Sequence, residues 1–350
     1  MTGASTLDDA VAVVAETCRA GLDLDDLRRR VLPSIRRGVP VDALWWAAAD
    51  PTTLLFTRPH REEIPAETGP YFVANEFLAD DVNRWSVLAR DRRGVRTLLE
   101  ATGGRMEESP RYRDIFRPLG LGDELRAVLR AGGECWGYLC IHREGPRGFS
   151  EQEARFVERI APHLAVGFRL ATLIGTVREG GIMSPGLVLV ADDGSISATN
   201  AAGEQWLEEL GVPSDRGGVP LEVLAVSSRL RDTDGTSNQP PRLRVRTRAG
   251  RWAVLHASWL GEPPTRSAAV IIEPAEPTEV LPLLVAAYGL TRQERRVTTL
   301  VCQGLSTVEI GARLRVTTNT VQDHLKSIFT KTGIRSRREL VVALLKQPYR

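Results

Sequence analysis

Residues 290–345 spell out four short helices with their punctuation in place, and that spacing leaves few folds open to this end of the chain. Thr291 with Glu294, Ser306 with Glu309 and Ser336 with Glu339 have the form of capping boxes. In each, a hydroxyl accepts from a first-turn amide while the carboxylate three residues on returns to the N-cap amide. Gly304 and Gly333 stand where helices must stop, because a left-handed C-cap strains any residue with a side chain. These signals predict helices over 292–303, 307–314, 318–330 and 337–345.

Only residues 315–317 separate the second and third helices, a turn short enough to force a steep crossing, as in a helix-turn-helix. On the third helix Val321, Leu325, Ile328 and Phe329 recur at helical spacing and form one apolar stripe. Gln322, Asp323 and Lys326 fall on the opposite face, with Lys331 and Arg335 just beyond it. Such a face fits a DNA major groove: Gln322 can pair with adenine, Asp323 can accept from cytosine, and Lys326 can reach guanine or a phosphate. Charge agrees with this. Residues 286–350 carry 12 Lys/Arg against 4 Asp/Glu, net +8, whereas the first 285 residues are net −6. The three lysines of the chain, Lys326, Lys331 and Lys346, all lie in this end, where phosphate contacts give sequence-independent, salt-sensitive affinity.

Leu290, Thr291, Glu294, Val297, Gly304, Ser306, Glu309, Ile310, Leu314, Thr320, Val321, His324, Leu325, Ile328, Lys331, Ser336 and Arg337 agree with one pattern at many fixed spacings. Residues 288–345 resemble the LuxR-type helix-turn-helix domain of bacterial transcription regulators. The resemblance implies an all-α four-helix domain that binds double-stranded DNA, with Thr320 on a phosphate and Gln322, Asp323 and Lys326 near bases. The last helix would supply part of a homodimer contact. Thr318, Asn319, Val321, Lys331, Arg335 and Arg337 complete the expected DNA-binding set. The chain departs from the family at Gln322, where a basic residue is usual, and Asp323 brings a negative charge toward the duplex. A two-fold dimer would read a near-palindromic operator.

At 350 residues the chain is long enough for two or three domains. With 42% apolar and 26% charged residues it has the balance of an ordinary globular protein. The first 26 residues lack a signal-peptide pattern and no apolar run reaches membrane-spanning length, so a cytoplasmic location is expected. Cys18, Cys135, Cys140 and Cys302 show no Cys-x-x-Cys pair and no histidine at zinc spacing, so neither a metal site nor a disulfide framework is predicted. On an unbroken strand Cys135 and Cys140, five apart, would face opposite sides.

Residues 6–20 and 24–36 read as helices. The runs ALWWAAA and TLLFT then read as strands about a turn at Asp50 and Pro51. Helical segments follow at 82–90, 95–101 and 111–116. GDELRAVLR and ECWGYLCIHR make a hairpin through Gly132 and Gly133. Ser150 with Glu153 opens a helical segment over 150–178 that is one helix or two in line, since Pro162 interrupts it. The hairpin with Trp136, Gly137 and Leu139, followed by Phe149, Ser150 and the terminal helix, resembles a GAF domain, an α+β sensor scaffold, within residues 1–178. Residues 181–275 contain two strands about Asp193 and Gly194, a helix opening at Asn200, and three further strands. That order resembles a PAS domain, a second α+β sensor scaffold. Residues 276–350 hold a linker and the reader, the linker being the Pro- and Glu-rich stretch 273–282.

Trp45, Tyr71, Phe72, Trp85, Tyr112, Phe116, Trp136 and Tyr138 supply enough aromatic surface to line an effector pocket, or equally to fill a core. Whether a cofactor binds cannot be read from the sequence. His256 as a haem ligand is the lesser reading, because a lone strand histidine is usually satisfied by ordinary hydrogen bonds. No phosphate loop, nucleophile elbow or zinc-protease helix is present in the sequence, which argues against an enzyme. The favoured reading is a sequence-specific DNA-binding regulator, a homodimer controlled by a small-molecule effector or partner. The alternatives are a constitutive DNA-binding dimer whose N-terminal domains only dimerise, and a partner-binding adaptor.

Overall fold

The computed structural model describes residues 2–174, 183–211, 218–232, 241–262 and 266–345. The residues 175–178 expected in the long helix, and Lys346, lie outside the described residues. In chain order the first module contains α1 (Thr2–Arg19), α2 (Leu24–Gly38), β1 (Ala43–Ala49), β2 (Phe56–Glu62), α3 (Gly69–Leu78), α4 (Trp85–Leu88), β3 (Val95–Thr97), α5 (Leu98–Ala101), β4 (Leu121–Ala131), β5 (Glu134–Glu144) and α6 (Glu151–Ala171). Its strands form one antiparallel sheet in the order β2-β1-β5-β4-β3. Strand alternation sorts the side chains onto two faces. Leu44, Trp46, Leu125, Ala127, Leu139 and Ile141 join the core made with α1, α2 and α6. Trp45, Val128, Tyr138 and Cys140 enter a second core on the other face.

The second module contains β6 (Gly186–Val190), β7 (Ile196–Thr199), α7 (Ala201–Leu210), α8 (Leu221–Asp232), β8 (Arg242–Arg246), β9 (Trp252–Leu260) and β10 (Ser267–Pro274). Its antiparallel sheet runs β7-β6-β10-β9-β8, the same connectivity as the first. α8 is buried from Leu221 through Ser228. It packs between α3 and β2 on one side and β8, β9 and β10 on the other, which buries it on both sides. The second core is therefore shared by both modules. Across this junction Arg244 forks onto Asp50 with bonds of 2.6 and 2.8 Å, and both side chains are buried. Glu222 on α8, also buried, accepts the backbone N–H of Arg58 at 2.7 Å.

Among the described residues four helices follow α9 (Pro277–Ala287): α10 (Arg292–Cys302), α11 (Thr307–Leu314), α12 (Thr318–Thr332) and α13 (Arg337–Leu345). The stretch expected as a linker is largely helix: α9 buries Val280, Leu281, Leu283, Leu284 and Val285. Proline reads as a breaker, yet Pro277 sits at the first helical position, where its missing N–H costs nothing. Glu276 and Glu279 form a capping box beside it. α6 runs unbroken through Pro162. Val95–Thr97, expected as helix, is an edge strand against β4, and β2 begins later than expected because Leu54 turns the chain with φ of 61°. The β4–β5 register skips between Leu129 and Arg130, so Trp136 is a bulge residue. The bulge reverses the alternation. Cys135 and Cys140 consequently share one core, while Trp136 enters the other.

Candidate functional site

The capping signals fix the geometry of the C-terminal helices. Thr291 and Ser306 make complete capping boxes with Glu294 and Glu309. The third is split: Ser336 accepts from the Glu339 amide, but Glu339 returns to the amide of Arg335. Gly304 and Gly333 adopt φ of 88° and 70°. Arg315 caps α11 in the same left-handed conformation, at φ 56°, a burden that the sequence placed on no glycine. The turn folds back closely on α11, since a side chain at Gly311 would meet the Val316 carbonyl at 3.0 Å.

Within this frame Val321 and Ile328 are fully buried and Leu325 and Phe329 pack against them. Thr318, Asn319, Gln322, Asp323 and Lys326 are exposed on the far side of α12, and Thr320 is half-buried. Lys326 lies 3.9 Å from Asp323 with both side chains in solvent, so this pair is weak and each group remains available. Arg335 is exposed and Arg337 half-buried near the start of α13. Exposed Arg313 and Arg315 add positive charge at the turn before α12. Sequence reasoning passed over both, because the periodicity of α12 says nothing of the turn.

Two expected DNA contacts are placed differently. Val321 is an inward residue of α12 with no exposed surface, so it serves the domain core. Lys331 is tied to Glu294, its Nζ lying 2.8 and 2.7 Å from the two carboxylate oxygens. The hydroxyl of Ser327 and the backbone N–H of Thr291 also donate to this carboxylate. Burial by itself would raise the Glu294 pKa, but the bonds from Lys331, Ser327 and Thr291 outweigh it and lower the pKa to about 2. One carboxylate thus closes a capping box and pins the end of α12 to the start of α10.

The aromatic residues of the first module divide in three. Trp45, Phe72, Trp85, Phe116 and Tyr138 share the second core, with Tyr112 packed at its edge. Trp45 lies 5.0 Å from Phe72 and 6.0 Å from Trp85, and Trp85 stacks on Tyr138 at 4.7 Å, measured between ring centroids. Trp136 lies across the sheet and Tyr71 is 70% exposed, so neither lines a common pocket with the rest. Beside the rings is a buried polar network: Arg126 bonds Glu76 and Glu124, and Arg111 bonds Glu124 and Asp81. Its guanidinium stands 4.4 Å from the Trp85 ring in the case of Arg126. His256 in the second module pairs with Glu273 at 3.1 Å.

Residues 289–344 match the family of bacterial regulatory proteins, luxR family, and residues 7–168 match the GAF domain. The spore germination protein GerE of Bacillus subtilis is 37% identical over 57 residues, 16% of this chain and 77% of that protein. The chain belongs to the LuxR family. A Mycobacterium bovis protein named as an HTH-type transcriptional regulator is 48% identical over 53 residues, and this LuxR-family chain spans 6% of its length. The VqsR LBD domain of Pseudomonas aeruginosa covers 48% of the chain with a TM-score of 0.32 and 16% identity. The matched LuxR segment contains α10 to α13 nearly entire, and the GAF segment runs from α1 into α6. Among the described residues no helix is long and apolar enough to cross a membrane.

Proposed function

We propose that this LuxR-family protein is a sequence-specific DNA-binding transcription regulator that acts as a homodimer. The observation that carries this reading is the two-sided character of α12, whose apolar side is buried while Gln322, Asp323 and Lys326 face solvent together. Gln322 and Asp323 read base edges, Lys326 reads guanine or holds a phosphate, and Thr320, Arg335 and Arg337 hold the backbone. The GAF domain and the second module, which is PAS-like in its strand order, form a sensor half that an effector or partner engages. Lys331 and Val321 leave the DNA-contact set, since each is committed within the domain.

Selection of bound duplexes from a pool of genomic fragments, with the full chain at moderate salt, tests this. Enrichment of one near-palindromic sequence is expected, and Gln322→Ala is expected to alter the base preferred at one position in each half-site. A full chain and a 276–350 fragment that both enrich nothing above background would overturn the reading.

A further inference from the structure

The face of the first sheet turned away from α1, α2 and α6 holds a second chemistry-bearing cluster. Cross-strand pairing sets Glu124 on β4 directly opposite His142 on β5, and Arg126 opposite Cys140. Cys140 and His142, two apart on one strand, project from the same face. Cys140 Sγ lies 3.0 Å from Glu124 Oε1 and 3.2 Å from His142 Nε2, and one ligand atom from each residue falls within 4.8 Å of the other two. All three residues are buried. The thiol donates to Glu124, and the His142 tautomer sets which way the contact between Sγ and Nε2 runs.

We propose that Glu124, Cys140 and His142 form a binding site for a borderline divalent cation of the zinc type, through carboxylate oxygen, thiolate sulfur and imidazole nitrogen. This donor mixture suits such a cation. With bonds of about 2.0–2.3 Å, the ligand atoms of a tetrahedral site stand roughly 3.3–3.6 Å apart. The sulfur's two neighbours therefore need to open by only a few tenths of an ångström. Rigid, paired strands hold the ligands in place.

Charge points the same way. Two guanidinium groups, Arg111 and Arg126, face three carboxylates, Asp81, Glu76 and Glu124. A divalent cation that displaces the thiol proton adds one net positive charge, which offsets the third carboxylate. The proton passes to solvent and no electron moves. Of the two His142 ring nitrogens, Nε2 faces the sulfur and Nδ1 is buried without a hydrogen-bond partner. Three protein ligands leave a fourth position, the arrangement of sites that accept a further ligand.

The site is independent of the reading of α12, and its test leaves that reading untouched. Titration of the full chain with Co²⁺ is expected to reach one equivalent, with a sulfur-to-cobalt charge-transfer band in the near ultraviolet that Zn²⁺ abolishes by displacement. Cys140→Ser should lose that band, whereas Cys135→Ser, on the same side of the sheet, should keep it. His142→Gln should keep the band at saturation but bind about tenfold or more weakly. Circular dichroism establishes that each variant is folded. Absence of the band in folded wild type, its survival in Cys140→Ser, or an unchanged cobalt affinity in His142→Gln would each overturn the proposal.

Discussion

Glu222→Gln should make stability less sensitive to a rise in pH from 5 to 8. Glu222 lies buried on α8 where the first two modules meet, and burial raises its pKa from the ordinary 4.5 to about 7, against the opposing pull of Arg58 on β2 and Arg28 on α2. The folded state thus holds this proton more tightly than the unfolded chain does. Its contribution to stability is fully present below 4.5 and is lost as pH rises through about 7. At ~1.36 kcal/mol per pH unit, the gap between the two values corresponds to about 3 kcal/mol over the whole window, most of which falls between pH 5 and 8. Glutamine titrates nothing there, and it keeps an oxygen for the Arg58 amide that Glu222 now accepts at 2.7 Å. Denaturant unfolding of both proteins at several pH values, followed by tryptophan fluorescence, should show the variant gaining on wild type by about that amount as pH rises. A difference that stays constant from pH 5 to 8 would refute a protonated Glu222 at the junction.

Arg244→Met should destabilise the joined first two modules by about 3–5 kcal/mol, because it strands Asp50 buried without its partner. Asp50→Asn added to it should recover part of that loss in the same unfolding assay. Lys331→Met should cost about 1–2 kcal/mol in stability, since a charged hydrogen bond is lost from a lysine that is partly exposed. It should leave the salt dependence of DNA binding unchanged, whereas Lys326→Ala should lower that slope by about one. Equal slopes for the two variants would show that Lys331 leaves Glu294 to contact phosphate.

The C-terminal helices were legible almost residue by residue, because their boundaries are set by local signals. Ser306, Glu309 and Gly304 act on their own helix ends whatever the rest of the chain does. Where the deciding interaction is distant, the sequence misled. Pro277 and Pro282 suggested a linker, yet the apolar side chains between and after them find a core supplied by other parts of the chain. Lys331 looked like a surface cation until folding brought Glu294 against it from 37 residues away. The polar cluster of the first module was hidden for a related reason. Glu124 and His142 meet only through strand pairing, and the bulge at Trp136 reverses which face Cys135 occupies. Of that cluster only the two-residue spacing of Cys140 and His142 on a strand was visible beforehand.

The burial of α9 also bears on what DNA binding costs. A reader domain on a loose tether must surrender its freedom to wander each time it docks, and that ordering entropy is subtracted from affinity. Here the connection is a helix wedged into the same apolar cluster as α6 and α10, and Arg295 at the start of α10 grips Glu134 on the first module's hairpin. The reader approaches DNA with its orientation already restricted, like a key fixed in a bow rather than hung on a chain. If the protein acts as the proposed homodimer, sequence preference extends beyond the bases touched, because the separation of paired half-sites becomes part of what is recognised.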